Sequence, residues 1–158
     1  MNYIGISEDR LHHILGVARK SYSIAKEMNF DESFCRRMFM LGWMHDIGYE
    51  FSKTQSEHPD ISSELLLALG DALSDKLWAD AVSAIKSHGR YTENETIEWK
   101  ILNMADMQVD SKGKEVTVSQ RLDDIKDRYG EYSDQYLTAC DICYRIGLTA
   151  VNLAQATT

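Results

Sequence analysis

The sequence predicts an all-α fold: a compact single-domain bundle of about six to seven helices covering residues 1–158. Three observations carry the prediction. Proline occurs once, at position 59, so almost no helix interior is interrupted. Apolar residues recur at three- and four-residue spacing along nearly the whole chain, and the alternating runs of a half-buried strand are scarce. This periodicity places helices near 7–28, 32–46, 60–69, 73–88, 94–110, 116–128 and 132–155. At 158 residues and 44% hydrophobic, the chain can bury one substantial core.

Ser7 is the natural N-cap of the first helix. On a wheel of about 100° per residue, its adjacent histidines separate. His13 falls beside Val17 and Ile24, at the edge of a face made of Ile14, Ala18, Ser21, Ala25 and Met28, and is predicted to point inward. His12 falls with Arg19, Ser23 and Lys26 and should face water.

The second helix is apolar on most sides, as suits a central element. His45 continues its Phe34, Met38, Leu41 stripe, and Asp46 continues Cys35, Phe39 and Gly42, so both should enter from a buried surface at the helix end. A polar loop, Tyr49 to Glu57, leads to His58-Pro59-Asp60 at the mouth of the third helix. There proline suits the first turn and holds its predecessor extended.

In the fourth helix, Leu77, Ala81, Ala84 and Ile85 form an apolar stripe that His88 extends before Gly89 stops the helix. The fifth sets Asp106 on the wheel with Trp99 and Leu102, and an acid so placed needs a charged partner or a metal. Arg121 and Arg128 in the sixth helix have acids at helical spacing and read as structural pairs. The seventh carries Tyr132, Tyr136, Leu137, Ile142, Ile146, Leu148, Val151 and Leu153, which offer a core-packing face or a homodimer surface and no chemistry.

The formal charge of −8, from 17 basic and 25 acidic residues, argues against general nucleic-acid binding but leaves room for a local basic pocket. No apolar run approaches the ~20 residues that cross a bilayer, and no basic-then-apolar leader is present, so a soluble, cytoplasmic protein is expected. The three cysteines, Cys35, Cys140 and Cys143, make no even disulfide framework and should be reduced. Cys140 and Cys143 have CxxC spacing but read as helix packing.

His13, His45, Asp46, His58, His88 and Asp106 thus fall on inward faces or mouths of five successive helices. Imidazoles and carboxylates without thiolates suit iron, manganese, cobalt or zinc in an open catalytic site. The phosphate-binding candidates at the same mouth are Lys53, Arg90 and Lys112, with Lys114 beside the last.

Together these residues give the sequence its resemblance to the HD-domain metal-dependent phosphohydrolases. The resemblance rests on Arg10-Leu11-His12-His13 followed by Val17-Ala18, on His45-Asp46-Ile47-Gly48, and on Ala105-Asp106, in order over roughly residues 10–130. It implies His13, His45, Asp46 and Asp106 as metal ligands. His58-Pro59 and His88-Gly89 resemble the further histidines of dinuclear members and imply a second metal. Small bacterial members that split diadenosine tetraphosphate share this ligand order. Two features depart from common family patterns: Tyr49 stands where a lysine often follows His-Asp-Ile-Gly, and the signature of cyclic-di-GMP phosphodiesterases is absent.

The resemblance implies hydrolysis of a phosphate ester or anhydride of a nucleotide-like small molecule by a metal-activated hydroxide. One or two divalent ions would serve, with Asp46 and His45 central to catalysis and Asp46 bridging two ions if both bind. The alternative readings are a non-catalytic nucleotide-binding regulatory module and a di-iron oxygenase on the same scaffold.

Overall fold

A computed structural model of the protein describes residues 2–70 and 76–147. Among these residues lie seven α-helices: α1 (Glu8–Glu27), α2 (Glu32–Met44), α3 (His58–Gly70), α4 (Lys76–Lys86), α5 (Ile97–Asp106), α6 (Val118–Tyr129) and α7 (Asp134–Arg145). Two 3₁₀ segments, Ile47–Phe51 and Gln55–Glu57, carry the chain from α2 to α3. The β structure among the described residues is one isolated bridge between Val109 and Glu115. The expected all-α bundle is therefore the observed one. Positions 73–75 of the expected fourth helix and 148–155 of the expected seventh lie outside the described residues.

Side-chain caps set the helix starts. Ser7, Asp31, Thr96, Thr117 and Ser133 each accept a hydrogen bond from the backbone N–H three residues on, satisfying a donor the helix itself leaves open. The Thr96 cap starts α5 at Ile97, later than the periodicity suggests. At its other end α5 stops at Asp106, which leaves that carboxylate on the last turn.

α2 runs through the middle of the bundle, with Cys35, Met38 and Leu41 fully buried. α1 crosses it so closely that a Cβ on Gly42 would come 2.6 Å from the Ala18 Cα, and glycine is what permits this approach. Val17, Ile85, Ile101 and Leu102 complete the main core between α1, α2, α4 and α5. The expected α4 stripe is seen at Ala81, Ala84 and Ile85, all buried, while the Leu77 side chain is outside the described set. Two smaller apolar patches seat the α6–α7 pair. Met107, Val118 and Cys143 form one, and Ala84, Trp99 and Ile142 the other. No helix among the described residues is long and apolar enough to cross a membrane.

Candidate metal centre

Each inward histidine is held from behind. His13 Nδ1 lies 2.8 Å from the Asp110 carbonyl, His45 Nδ1 2.6 Å from that of Gly42, His58 Nδ1 2.5 Å from that of Gln55, and His88 Nδ1 2.5 Å from that of Ile85. A carbonyl only accepts, so every Nδ1 must carry its proton and donate. This tautomer leaves each Nε2 lone pair free, the arrangement by which proteins orient imidazoles toward a metal. His12, as expected from the wheel, is exposed.

The four Nε2 atoms converge on two carboxylates. Asp46 Oδ1 is 3.2 Å from His58, 3.3 Å from His88 and 3.4 Å from His45, while Asp46 Oδ2 is 3.7 Å from His13. Asp106 Oδ1 is 3.0 Å from His13 and 3.8 Å from His45. Two overlapping donor sets result: His13, His45 and Asp106 form one, and His45, Asp46 and His88 the other, each with its ligand atoms within 4.8 Å of one another. His58 adjoins the second set, its Nε2 3.1 Å from that of His88.

Two details show that these residues fit a cation. His45 Nε2 is buried without a hydrogen-bond partner among the described residues, although an imidazole nitrogen so deep in a protein should have one. His58 and His88 present lone pairs to each other, and two acceptors at that distance need a positive centre beside them. Borderline nitrogen donors with hard oxygen donors suit one or two divalent ions.

The electrostatics favour ligand forms at His45, Asp46 and Asp106, while His13 leans toward its protonated form. Burial pulls the His45 pKa down to about 4, so its ring is neutral near pH 7. Burial acts the same way on His13, but its hydrogen bond to Asp106, the Asp106 charge and then Asp46 outweigh it, and the net shift is upward. Burial alone would raise Asp46; His45, His58 and His88 hold it well below the usual carboxylate range. Asp106 is held low against burial by His13, His45 and Arg121.

The cluster forms one end of a cavity of about 460 Å³. Arg90 lies on its wall, bound to Asp60 at 2.9 and 3.2 Å and to the Ser56 carbonyl at 2.6 Å. Lys53 and Lys112, the other phosphate-binding candidates, are exposed and off the cavity wall, as is Lys114. The reason at positions 112 and 114 is local: both backbone N–H groups close a turn on the Asp110 carboxylate at 2.9 Å, and of this turn Ser111 lines the cavity while the two lysines are exposed.

The structure gives a place at the site to Arg10 and Tyr49, to which the sequence motifs assign no role, and to Ser62. Arg10 Nη1 donates to Asp46 Oδ2 at 2.7 Å, and its guanidinium lies 4.1 Å over the Tyr49 ring. Tyr49 in turn stacks on His58, with centroids 4.0 Å apart and planes 12° from parallel. Arg10 precedes His13 by three residues, so helical spacing alone puts the two on one face. Ser62 Oγ accepts from the Gly48 N–H at 2.8 Å and fixes the turn after the doublet against α3.

A buried His/Asp cluster fed by five helices, opening on a concave cavity, defines a helical metalloprotein site. The HD domain profile matches residues 10–129, and the chain belongs to the HD domain family. Searches of curated proteins and of solved structures returned no match.

Proposed function

We propose that the protein is a metal-dependent phosphohydrolase that cleaves a phosphate ester or anhydride of a nucleotide-like small molecule. The observation that carries this reading is the convergence of four imidazole Nε2 atoms, each backed by a backbone carbonyl, on Asp46 and Asp106 at the end of a cavity. His13, His45 and Asp106 would hold one ion, His58 and His88 a second, with Asp46 between them. Such ions supply a water acidified to near neutrality and polarise a phosphoryl oxygen.

The chain's own groups do the rest. The carbonyl anchors fix the imidazoles before substrate arrives, so little reorganisation is required at the reacting atoms. Arg10 tethers Asp46 Oδ2 and thereby orients the carboxylate. Tyr49 shields one face of the His58 ring. In the balanced reaction, water gives its hydroxyl to phosphorus, the P–O bond to the leaving group breaks, and the second water proton ends on the departing oxygen.

A phosphate-release screen across nucleoside mono-, di- and triphosphates and dinucleoside polyphosphates, with iron, manganese, cobalt and zinc supplied in turn, tests the proposal. Release with at least one pair supports it. Metal binding with no release from any compound points to the non-catalytic module, and oxygen consumption without release points to the di-iron oxygenase.

A further inference from the structure

Beside the cluster residues, the cavity is walled by the α6–α7 pair. Arg121, Ile125, Arg128 and Tyr129 line it from α6, at positions i, i+4, i+7 and i+8 of one helical face. Arg121 Nη1 lies 3.2 Å from Asp124 Oδ2, and Arg128 reaches the same carboxylate with Nε at 3.2 Å and Nη2 at 3.0 Å. One carboxylate thus serves two guanidiniums.

Arg121 also extends toward the cluster, with Nη2 4.0 Å from Asp106 Oδ1. Once Asp106 is committed to a cation, Asp124 is the carboxylate left in ion-pair contact with the two arginines, with the Asp110 charge acting on Arg121 from further off, so at contact range one acid serves two guanidiniums. Arg121 is largely buried, and its Nε is a buried donor without a hydrogen-bond partner among the described residues, so the guanidinium has hydrogen-bonding capacity that the protein leaves unused. The other arginines on the wall have fixed places: Arg90 is held by Asp60 and the Ser56 carbonyl, and Arg10 lies over the Tyr49 ring and donates to the Asp46 oxygen that faces away from His45, His58 and His88. Asp134, on the facing α7 wall, stands in the first turn of its helix, where the positive helix end offsets its charge.

We propose that Arg121 and Arg128 form an anion subsite for a second phosphate of the substrate, one phosphate further from the bond than the group held at the cluster. This rests on the phosphohydrolase reading and narrows its substrates to compounds with two or more linked phosphates. In a protein with net charge −8, a second anion needs such a local surplus. Guanidinium groups are well matched to it, because their planar forks bind phosphate oxygens two at a time.

The test uses two non-hydrolysable probes, methylenediphosphonate and methylphosphonate, titrated calorimetrically into the full chain loaded with manganese and freed of excess metal. The wild-type protein is expected to bind the diphosphonate at least about tenfold more tightly, a ratio that Arg121→Gln and Arg128→Gln each bring toward one. Arg121→Lys should restore part of it. If Arg121 only braces α6, its loss will weaken both probes equally and leave the ratio intact, which overturns the subsite; so does a wild-type ratio near one. The same variants are assayed for phosphate release from a nucleoside diphosphate against a monophosphate, and the ratio of kcat/KM should fall in parallel. Absence of release from every compound would remove the phosphohydrolase reading alone, since the binding ratio is read without turnover.

Discussion

At the cluster end of the cavity, His13, His45, Asp46 and His88 are at most 4% exposed, and each imidazole is anchored to a backbone carbonyl. At the α6–α7 end, Arg128 is 44% exposed, and both arginines are held by a neighbouring carboxylate of their own helix. A carbonyl anchor cannot move unless the backbone moves, so the imidazoles are placed by the fold itself. The partly exposed i,i+4 pair of Arg128 with Asp124 is worth only about 0.3–0.5 kcal/mol, so that guanidinium can leave its carboxylate for a substrate oxygen at little cost, while Arg121 is largely buried on the wall. One end is preorganised for chemistry; the other is adaptable for recognition.

The largest expected effect comes from breaking the preorganised end at its shared ligand. Asp46→Ala removes the carboxylate that lies between three Nε2 atoms on one oxygen and Arg10 on the other. Bound metal should be lost and phosphate release should fall by more than about a hundredfold. Metal analysis and turnover are measured on the same preparation, and unchanged turnover would remove Asp46 from the mechanism.

Next in size is a pH effect on the metal-free protein. His45 titrates near 4 when folded against about 6.5 when unfolded, so between those values the unfolded chain binds the extra proton. Its contribution is therefore intact above pH 6.5 and declines as pH falls toward 4, by about 3 kcal/mol in all. His13 acts with the opposite sign. Its raised pKa gives a contribution present below 6.5 that fades as pH rises through the folded value. Denaturant midpoints from pH 7 to pH 4 should fall for wild type and fall less for His45→Gln, while His13→Gln should fall more steeply. Equal slopes in all three would mean that burial does not hold the His45 ring neutral.

A smaller effect is expected where the fold supports the anchor. Gly42 lends its carbonyl to His45 and its missing side chain to the α1–α2 crossing. In Gly42→Ala the new methyl meets Ala18 backbone on both the Cα, at 2.6 Å, and the N, at 2.8 Å, neither of which can swing aside. Thermal unfolding should show a loss of about 1–3 kcal/mol. Because the displaced helix carries the His45 anchor, metal affinity should drop with stability; stability loss without loss of affinity would show the anchor to be independent of the crossing.

The preorganised end was also the more legible in the sequence, for a physical reason. Inward direction is a property of helical period, and period alone separated His13 from His12 and put His88 and Asp106 on buried stripes. The Asp46 stripe is less faithful: Phe39, its wheel-mate, is 37% exposed, and Asp46 is buried from the turn after α2, which stops at Met44, so the wheel of that helix does not place it. Proximity in sequence nominates the phosphate-binding lysines but says nothing about which way a turn folds, and Lys53 and Lys112 lie off the cavity wall. Helical spacing predicts a local pair for Arg121, and it makes one with Asp124. Its second neighbour, Asp106, is fifteen residues earlier in the chain and on another helix, and helical spacing does not report such contacts.

Whether adaptability at the α6–α7 end extends to the helices or stops at their side chains can be decided with its cysteines. Cys143 is buried in the apolar seam with Met107 and Val118, and burial, reinforced by Cys140, pushes its thiol up to about 12. Cys140, on the same helix, is half-buried, and Cys35 is sealed in the main core. A thiol alkylates only as the thiolate and only when reagent reaches it. If only side chains adapt, iodoacetamide at pH 8 should modify Cys140 alone in the folded protein, with Cys143 and Cys35 protected to the same degree, as read by peptide mass spectrometry over time. Labelling of Cys143 well ahead of Cys35 would mean that the seam opens while the core stays shut. Adaptability would then belong to the seating of α7 on the bundle, and the second phosphate would meet a wall that moves as a unit.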